Sequence, residues 1–269
     1  MKTAVCITNK GASVYIDGKT FLFNHAHPNY QRAIDATKAK QWDLVPLLVD
    51  LTTQIKQLSP KLTILGGKIY FNNEALPTNY LVNKLIQTLD QGGNATPLAL
   101  FIENLQLNPS EASREELGLF LDACKLPITD DGHFLGYKLV ADNYMDQHTE
   151  TMNNAVGQVV EMDRAAVDDD RNQTCSHGLH VCSRSYLGTG QVQGKHLMVV
   201  KVNPRDVVSV PTDYNNSKLR CCRYLVVEEI IEQQIDALEA EPVITIVQTS
   251  TNEPNTLGMW GRLRRFFYV

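Results

Sequence analysis

The sequence has no apolar run approaching the roughly 20 residues that a bilayer-crossing helix requires, so a helical membrane span is not expected. It has no excess of basic residues: 25 Lys and Arg stand against 30 Asp and Glu, for a net charge of −5 and a pI near 5.8. That balance argues against generic nucleic-acid binding and leaves room only for a local basic patch. There is no disulfide framework either. The six cysteines are unevenly spaced, with Cys221 and Cys222 adjacent, and read as reduced, small, buried side chains. The opening stretch MKTAVCITNKGASVYIDGK reaches Asn9 and Lys10 before any apolar run, so it does not read as a signal peptide, and a cytoplasmic location is expected. What is present is the composition of a folded protein, 269 residues with 43% hydrophobic and 20% charged content.

Local patterning divides the chain. In SVYIDGKTFLF, Val14 and Ile16 alternate with polar neighbours, Asp17-Gly18 supplies a two-residue turn, and Phe21 and Phe23 resume the pattern, which predicts a hairpin. Two helical segments are expected between His27 and Ile55, separated near Gln41. KLTILGGKIYFNNEAL predicts a second hairpin around Gly66-Gly67. A stripe of Leu81, Leu85 and Leu89 predicts a helix stopped by Gly92-Gly93. Another is expected from about Pro97 to Leu105, and a third is capped by Ser110, turns Leu117, Leu119, Phe120 and Leu121 inward, and ends at Pro127. Beyond this, runs rich in Val, Leu and Tyr predict strands at 134–140, 156–162, 178–183, 197–202, 206–210 and 220–228, and a last helix is expected over 229–240. The reading is an α+β protein: a hairpin and helical unit over 1–125, a mainly β domain over 126–235, and a tail over 236–269.

The densest chemistry is CSHGLHVCS, residues 175–183. Cys175, His177, His180 and Cys182 are all permitted zinc ligands, but structural zinc sites usually gather pairs of ligands from two separate turns. On an extended strand Cys175 and His177 share one face and His180 and Cys182 the other, unless Gly178 resets the phase through a bulge. A thiolate beside an imidazole, Cys175 with His177 or Cys182 with His180, is the alternative, with no third group to orient the base. The preferred reading is a core strand whose two thiols pack inside while a histidine faces a cleft. In DDGHFLGYKLV, a strand puts His133 and Tyr137 on one face and Lys138 on the other, a set that could bind phosphate or polarise a carbonyl, although the preferred reading of Lys138 is an exposed strand residue. Asp168, Asp169 and Asp170 lack the glycine and spacing of a calcium loop and read as solvated. The terminal WGRLRRFFYV mixes Trp260, Phe266 and Phe267 with Arg262, Arg264 and Arg265, which suits either a membrane surface or a docking segment.

IENLQLNPS, LPITDDGHFLGYK, TMNNAVGQVVEMDR, NQTCSHGLHVCSRSYL and VVKVNPRDVVSVPTDYNNSKLRCCRY resemble, in order and spacing, the rIIB proteins of tailed bacteriophages. The resemblance runs from about Phe101 to Glu228. It implies an early phage product that acts with an rIIA-like ATPase in protecting infection against prophage exclusion and in lysis. It also implies residence in the host cytoplasm with association to the inner membrane, and a host defence component as a further partner. It implies no catalytic residues and no cofactor.

GYKLV, GLHVCSRSYL and RYLVVEE separately resemble the three strand motifs of ADP-ribosyltransferase-like folds. That likeness implies a nucleotide-sized cleft bordered by Tyr137, His180, Ser183, Tyr186 and Glu228, with Lys138 beside Tyr137 as a further cleft candidate. The first motif lacks its His or Arg, so a non-catalytic version is expected. Two functions are therefore expected of the sequence as alternatives: a partner-dependent phage accessory protein, and a nucleotide-binding enzyme or sensor.

Overall fold

A computed structural model describes residues 1–77, 79–124, 126–187, 195–230 and 246–247. The chain is α+β, and its contacts divide it into two compact units, Met1–Ala99 and Leu100–Val269.

In the first unit, β1 (Thr3–Thr8), β2 (Gly11–Ile16) and β3 (Lys19–Phe23) form an antiparallel meander. Asp17 and Gly18 both have positive φ, 43° and 98°, the backbone that a two-residue turn needs to match the strand twist. The turn residues and the alternation of Val14 and Phe21 make β2 and β3 visible in the sequence. β1 is exposed along its whole length and so carries no burial pattern to read.

Three helices follow, α1 (Tyr30–Lys38), α2 (Leu44–Val49) and α3 (Leu51–Leu58), rather than two. The added break is at Asp50, which is extended (φ −123°, ψ 104°) and accepts a hydrogen bond from the Thr53 amide, capping α3. Ala33, Ile34, Val45 and Leu48 pack with Val14 and Phe23 in a buried cluster. The unit continues with β4 (Leu62–Leu65), β5 (Lys68–Phe71) and β6 (Glu74–Ala75). It also holds α4 (Tyr80–Asp90), capped by Asn79 and buried along Leu81, Leu85 and Leu89.

Helices α5 (Thr96–Gln106) and α6 (Glu111–Cys124) precede the large sheet. Its strands are β7 (Ile128–Thr129), β8 (Phe134–Val140), β9 (Val159–Glu161), β10 (Leu179–Cys182), β11 (His196–Val202), β12 (Val207–Ser209), β13 (Lys218–Cys221), β14 (Arg223–Ile230) and β15 (Ile246–Val247). The main path runs β12-β13-β10-β8-β11-β14-β9, with β7 beside β8 and β15 beside β7. Phe134 of β8 sits 6.2 Å from Phe101 of α5 and 6.1 Å from Phe120 of α6, centroid to centroid. The Ser113 hydroxyl donates to the Val208 carbonyl at 2.6 Å, and Glu116 accepts from the Val210 amide at 2.9 Å, tying α6 to β12.

Three expectations change here. Leu119 is 53% exposed, because 3.6-residue periodicity turns it away from the buried side shared by Leu117, Phe120 and Leu121. The run over 220–228 is the junction of two strands, since the chain breaks at Cys222, whose amide donates to the Asp206 carbonyl. Glu229 and Ile230, expected to open a helix, end β14 instead. The remainder of that expected helix, and the aromatic and arginine-rich terminus, lie outside the described residues.

Candidate functional site

The site begins with a defect in strand pairing. β10 pairs with β13 over four residues, from Leu179↔Cys221 to Cys182↔Lys218. On its other side it meets β8 through a single pair, Cys182↔Tyr137. Gly136 permits that close approach: a Cβ there would collide with the Val181 side chain. A cleft of about 500 Å³ lies along this seam, lined by Tyr137 to Leu139, by Leu179 to Cys182, and by the loops around Asp146 and Ser176.

Side chains take over hydrogen bonds that the missing ladder would supply. The Lys138 ammonium donates to the His180 carbonyl at 3.2 Å, and the Cys182 thiol donates to the Tyr137 carbonyl at 3.3 Å. Lys138 also lies 5.7 Å from the Tyr224 ring centroid, a cation–π contact. Protein surrounds its ammonium, and burial lowers its proton affinity from the ordinary lysine value. Lys218, 4% exposed, sits 5.6 Å from the Tyr186 ring centroid and 3.5 Å from the Asp213 carboxylate. Lys195 joins the lining. Asp146, also in the lining, is engaged by the amides of Thr149, Thr151 and Met152 at 2.7, 3.0 and 2.9 Å. Burial alone would raise its pKa; these bonds outweigh it and hold the carboxyl well below the usual range.

Below the cleft is Arg220, fully buried, which donates to the carbonyls of Gln173 and Asp170 at 2.6 Å each and to Ser209. It fixes the loop carrying the Asp168 to Asp170 run. Within that loop Asp168 accepts from the Asp170 amide and Asp170 from the Asn172 amide, so two of these carboxylates act as turn formers.

The strand at CSHGLHVCS is shorter than expected. Only Leu179 to Cys182 is extended, and Gly178 at φ 148° separates it from the preceding loop. Cys182 is buried, but Cys175 lies in that loop and is exposed, so the two thiols do not pack together inside. Both histidines line the cleft, and each is committed to a backbone carbonyl, His177 Nδ1 to Ala166 at 2.7 Å and His180 Nε2 to Ser176 at 2.8 Å. Among the described residues no group of three or more His, Cys, Asp or Glu side chains is arranged to hold a metal ion.

Burial, with Lys138, Lys218 and Arg220 adding to it against the Ser176 bond, lowers the His180 pKa to about 4, so at neutral pH its ring is uncharged. Burial pushes the Cys182 thiol up to about 12 despite nearby Lys138, which keeps it protonated rather than nucleophilic.

Of the six cleft candidates, Tyr137, Lys138, His180 and Tyr186 line the cavity. Ser183 is buried against Ser185 at 2.8 Å and Glu228 is outside the lining, although pairing through Val199 places Glu228 in the same cross-strand row as Tyr137. His133 is elsewhere, 3.1 Å from Asp131. Sequence reasoning passed over Lys218 and Tyr224. For Lys218 a signal existed, since Lys218 and Arg220 alternate with Leu219 and Cys221 at the strand period.

The model of the family described as Bacteriophage T4 protein rIIB matches residues 48–247. "Protein rIIB" of Enterobacteria phage T4 is 38% identical over 228 residues, which cover 84% of this chain and 73% of that protein. No solved structure matches the chain.

Proposed function

We infer function from family: the chain belongs to the bacteriophage T4 rIIB protein family, and we propose that it acts as an accessory protein of infection together with an rIIA-like ATPase. In this reading it protects infection from exclusion by a resident prophage or host defence component and influences lysis, working in the host cytoplasm and at the inner membrane. The observation that carries the reading is the identity of 38% spread over 84% of the chain, which takes in both compact units rather than one short motif. The site chemistry agrees with a role through contacts. The buried thiol Cys182 is protonated, and Asp146 in the cleft is occupied by backbone amides. No helix among the described residues is long and apolar enough to cross a membrane.

The test is affinity capture of the tagged full chain from infected cells, with mass spectrometry of what is retained, alongside plating of a phage lacking the gene on lysogenic and non-lysogenic hosts. Recovery of an rIIA-like ATPase and a plating defect confined to the lysogen are expected. Equal plating on both hosts with no such ATPase retained would overturn the reading.

A second reading is favoured by the cleft itself: the chain senses a nucleotide there. Tyr137, Lys138, His180 and Tyr186, drawn from separate segments, meet in one cavity. Its volume falls in the range of about 300–1,000 Å³ typical of small-molecule sites.

A further inference from the structure

We propose that the cleft between β8 and β10 binds a small phosphate ester bearing a planar base, the class of a mononucleotide, with its phosphate between Lys138 and Lys218 and its ring on Tyr186. This rests on the second reading above and specifies the ligand's chemistry and orientation.

Charge is the first argument. The described lining holds three lysines, Lys138, Lys195 and Lys218, and one carboxylate, Asp146. That carboxylate's hydrogen-bonding capacity is taken up by the amides of Thr149, Thr151 and Met152 and by the Thr149 hydroxyl. Lys138 is enclosed by protein, bonded to a carbonyl and set beside a ring face, and the lining carboxylate that acts on its charge, Asp146, is itself engaged by backbone amides. A buried ammonium in this condition gains most from an incoming negative group.

Geometry is the second. Cys182 is the common neighbour, paired with Lys218 on β13 and with Tyr137, the residue before Lys138, on β8. Lys138 and Lys218 thus stand on the two strands that flank β10, and both line the cleft. Lysine is a compact point charge suited to phosphate, and a dianion can meet two such charges at once where a carboxylate answers one.

The third is the aromatic surface. Tyr186, with the Lys218 ammonium 5.6 Å from its ring centroid, and the uncharged His180 ring supply planar walls on which a base can stack without demanding a particular sequence of donors. The buried Cys182 thiol is held protonated and serves the site as a wall, not as a nucleophile.

The experiment is isothermal titration of the full chain at low ionic strength with AMP, adenosine and inorganic phosphate as separate probes. AMP is expected to bind about tenfold more tightly than adenosine, with phosphate competing for the same site. Lys138→Met and Tyr186→Ala are each expected to weaken AMP by about tenfold, while Lys138→Arg retains most of the affinity. Circular dichroism of each variant separates lost binding from lost folding. If adenosine binds as tightly as AMP and Lys138→Met changes nothing, the phosphate placement is wrong while the nucleotide reading stands. If none of the three probes binds at millimolar concentration, both fail.

Discussion

Replacing Asn108 by alanine should cost the Leu100–Val269 unit more than any surface change, although the residue is small and lies outside the cleft. Asn108 is 1% exposed and uses its full hydrogen-bonding capacity. Its Nδ2 donates to the carbonyls of Pro204 at 3.0 Å and Val207 at 2.7 Å. Its Oδ1 accepts from the Ser110 amide at 3.0 Å and from Arg164 Nη2 at 2.9 Å. Four bonds at a net 0.5–1.5 kcal/mol apiece give a loss of roughly 2–6 kcal/mol. Neither carbonyl is stranded, since Val207 still accepts from Arg164 and Pro204 from the Val207 amide. The expected loss therefore lies in the lower half of that range, about 3 kcal/mol. Asn108→Asp separates the two sides of the amide. It keeps the acceptors for Ser110 and Arg164 but faces two carbonyl oxygens with a carboxylate, so it should be no more stable than Asn108→Ala. Urea unfolding followed by far-ultraviolet circular dichroism measures both, with the slope m expected to stay constant. A loss under about 1 kcal/mol for the alanine variant would refute the argument that this side chain joins the α5–α6 link to the β12 edge.

Gly136→Ala should destabilise the same unit by about 1–3 kcal/mol, because the added methyl meets Val181, and Val181→Ala should recover part of the loss; additive effects in the double variant would count against the contact. For His180 the folded pKa of about 4 lies below the ordinary 6.5, so its contribution to stability is complete above the unfolded value and is lost as pH falls toward 4. Acid titration of stability should show a drop on the order of 3 kcal/mol across that window, and His180→Gln should remove it. His196 has the opposite sign: burial works against its charge, but Glu229 at 2.6 Å and the Asp142 carbonyl at 2.9 Å outweigh it and raise the pKa. The stability it adds is present below the unfolded value and fades as pH rises through the folded one, and an NMR titration of Glu229→Gln should show the imidazole pKa falling. Native alkylation should label the exposed Cys6 and Cys175 and spare Cys182 and Cys221, whose thiols burial holds protonated; early labelling of Cys182 would contradict its environment.

Much of the architecture was legible because its signals are local. Asp17-Gly18 and Gly66-Gly67 all take the positive φ that their turn positions imply, and the Leu81, Leu85, Leu89 stripe is buried as its spacing demands. β8 is bounded where the alternation of Phe134 to Val140 suggested. What was not legible depends on partners distant in sequence. β1 is a strand only because β2 pairs with it. The break at Cys222 comes from its bond to Asp206 and from two different neighbouring strands. In the cleft, Tyr137, His180 and Tyr186 were found through motif likeness and Lys138 through the strand pattern of DDGHFLGYKLV, while Lys218 and Tyr224 enter through sheet order, which places β13 beside β10 and β14 two strands from β8. Ser183 fell out because the chain turns immediately after β10 and buries its hydroxyl beside Ser185.

The single Cys182↔Tyr137 pair has a mechanical meaning. β8 is joined to β11 at seven positions and β10 to β13 at four, so each side of the seam is a stiff plate, while the plates are joined to each other by little more than one rung. Such a joint is where the sheet has fewest backbone rungs to resist deformation, and the side-chain bonds of Lys138 and Cys182 across it carry more of the load than elsewhere. Lys138 stands on one plate and Lys218 on the other. A group gripped by both would act as a splint, and the gap between the plates would become the coordinate along which occupancy of the cleft is converted into a change of shape at the sheet's outer strands.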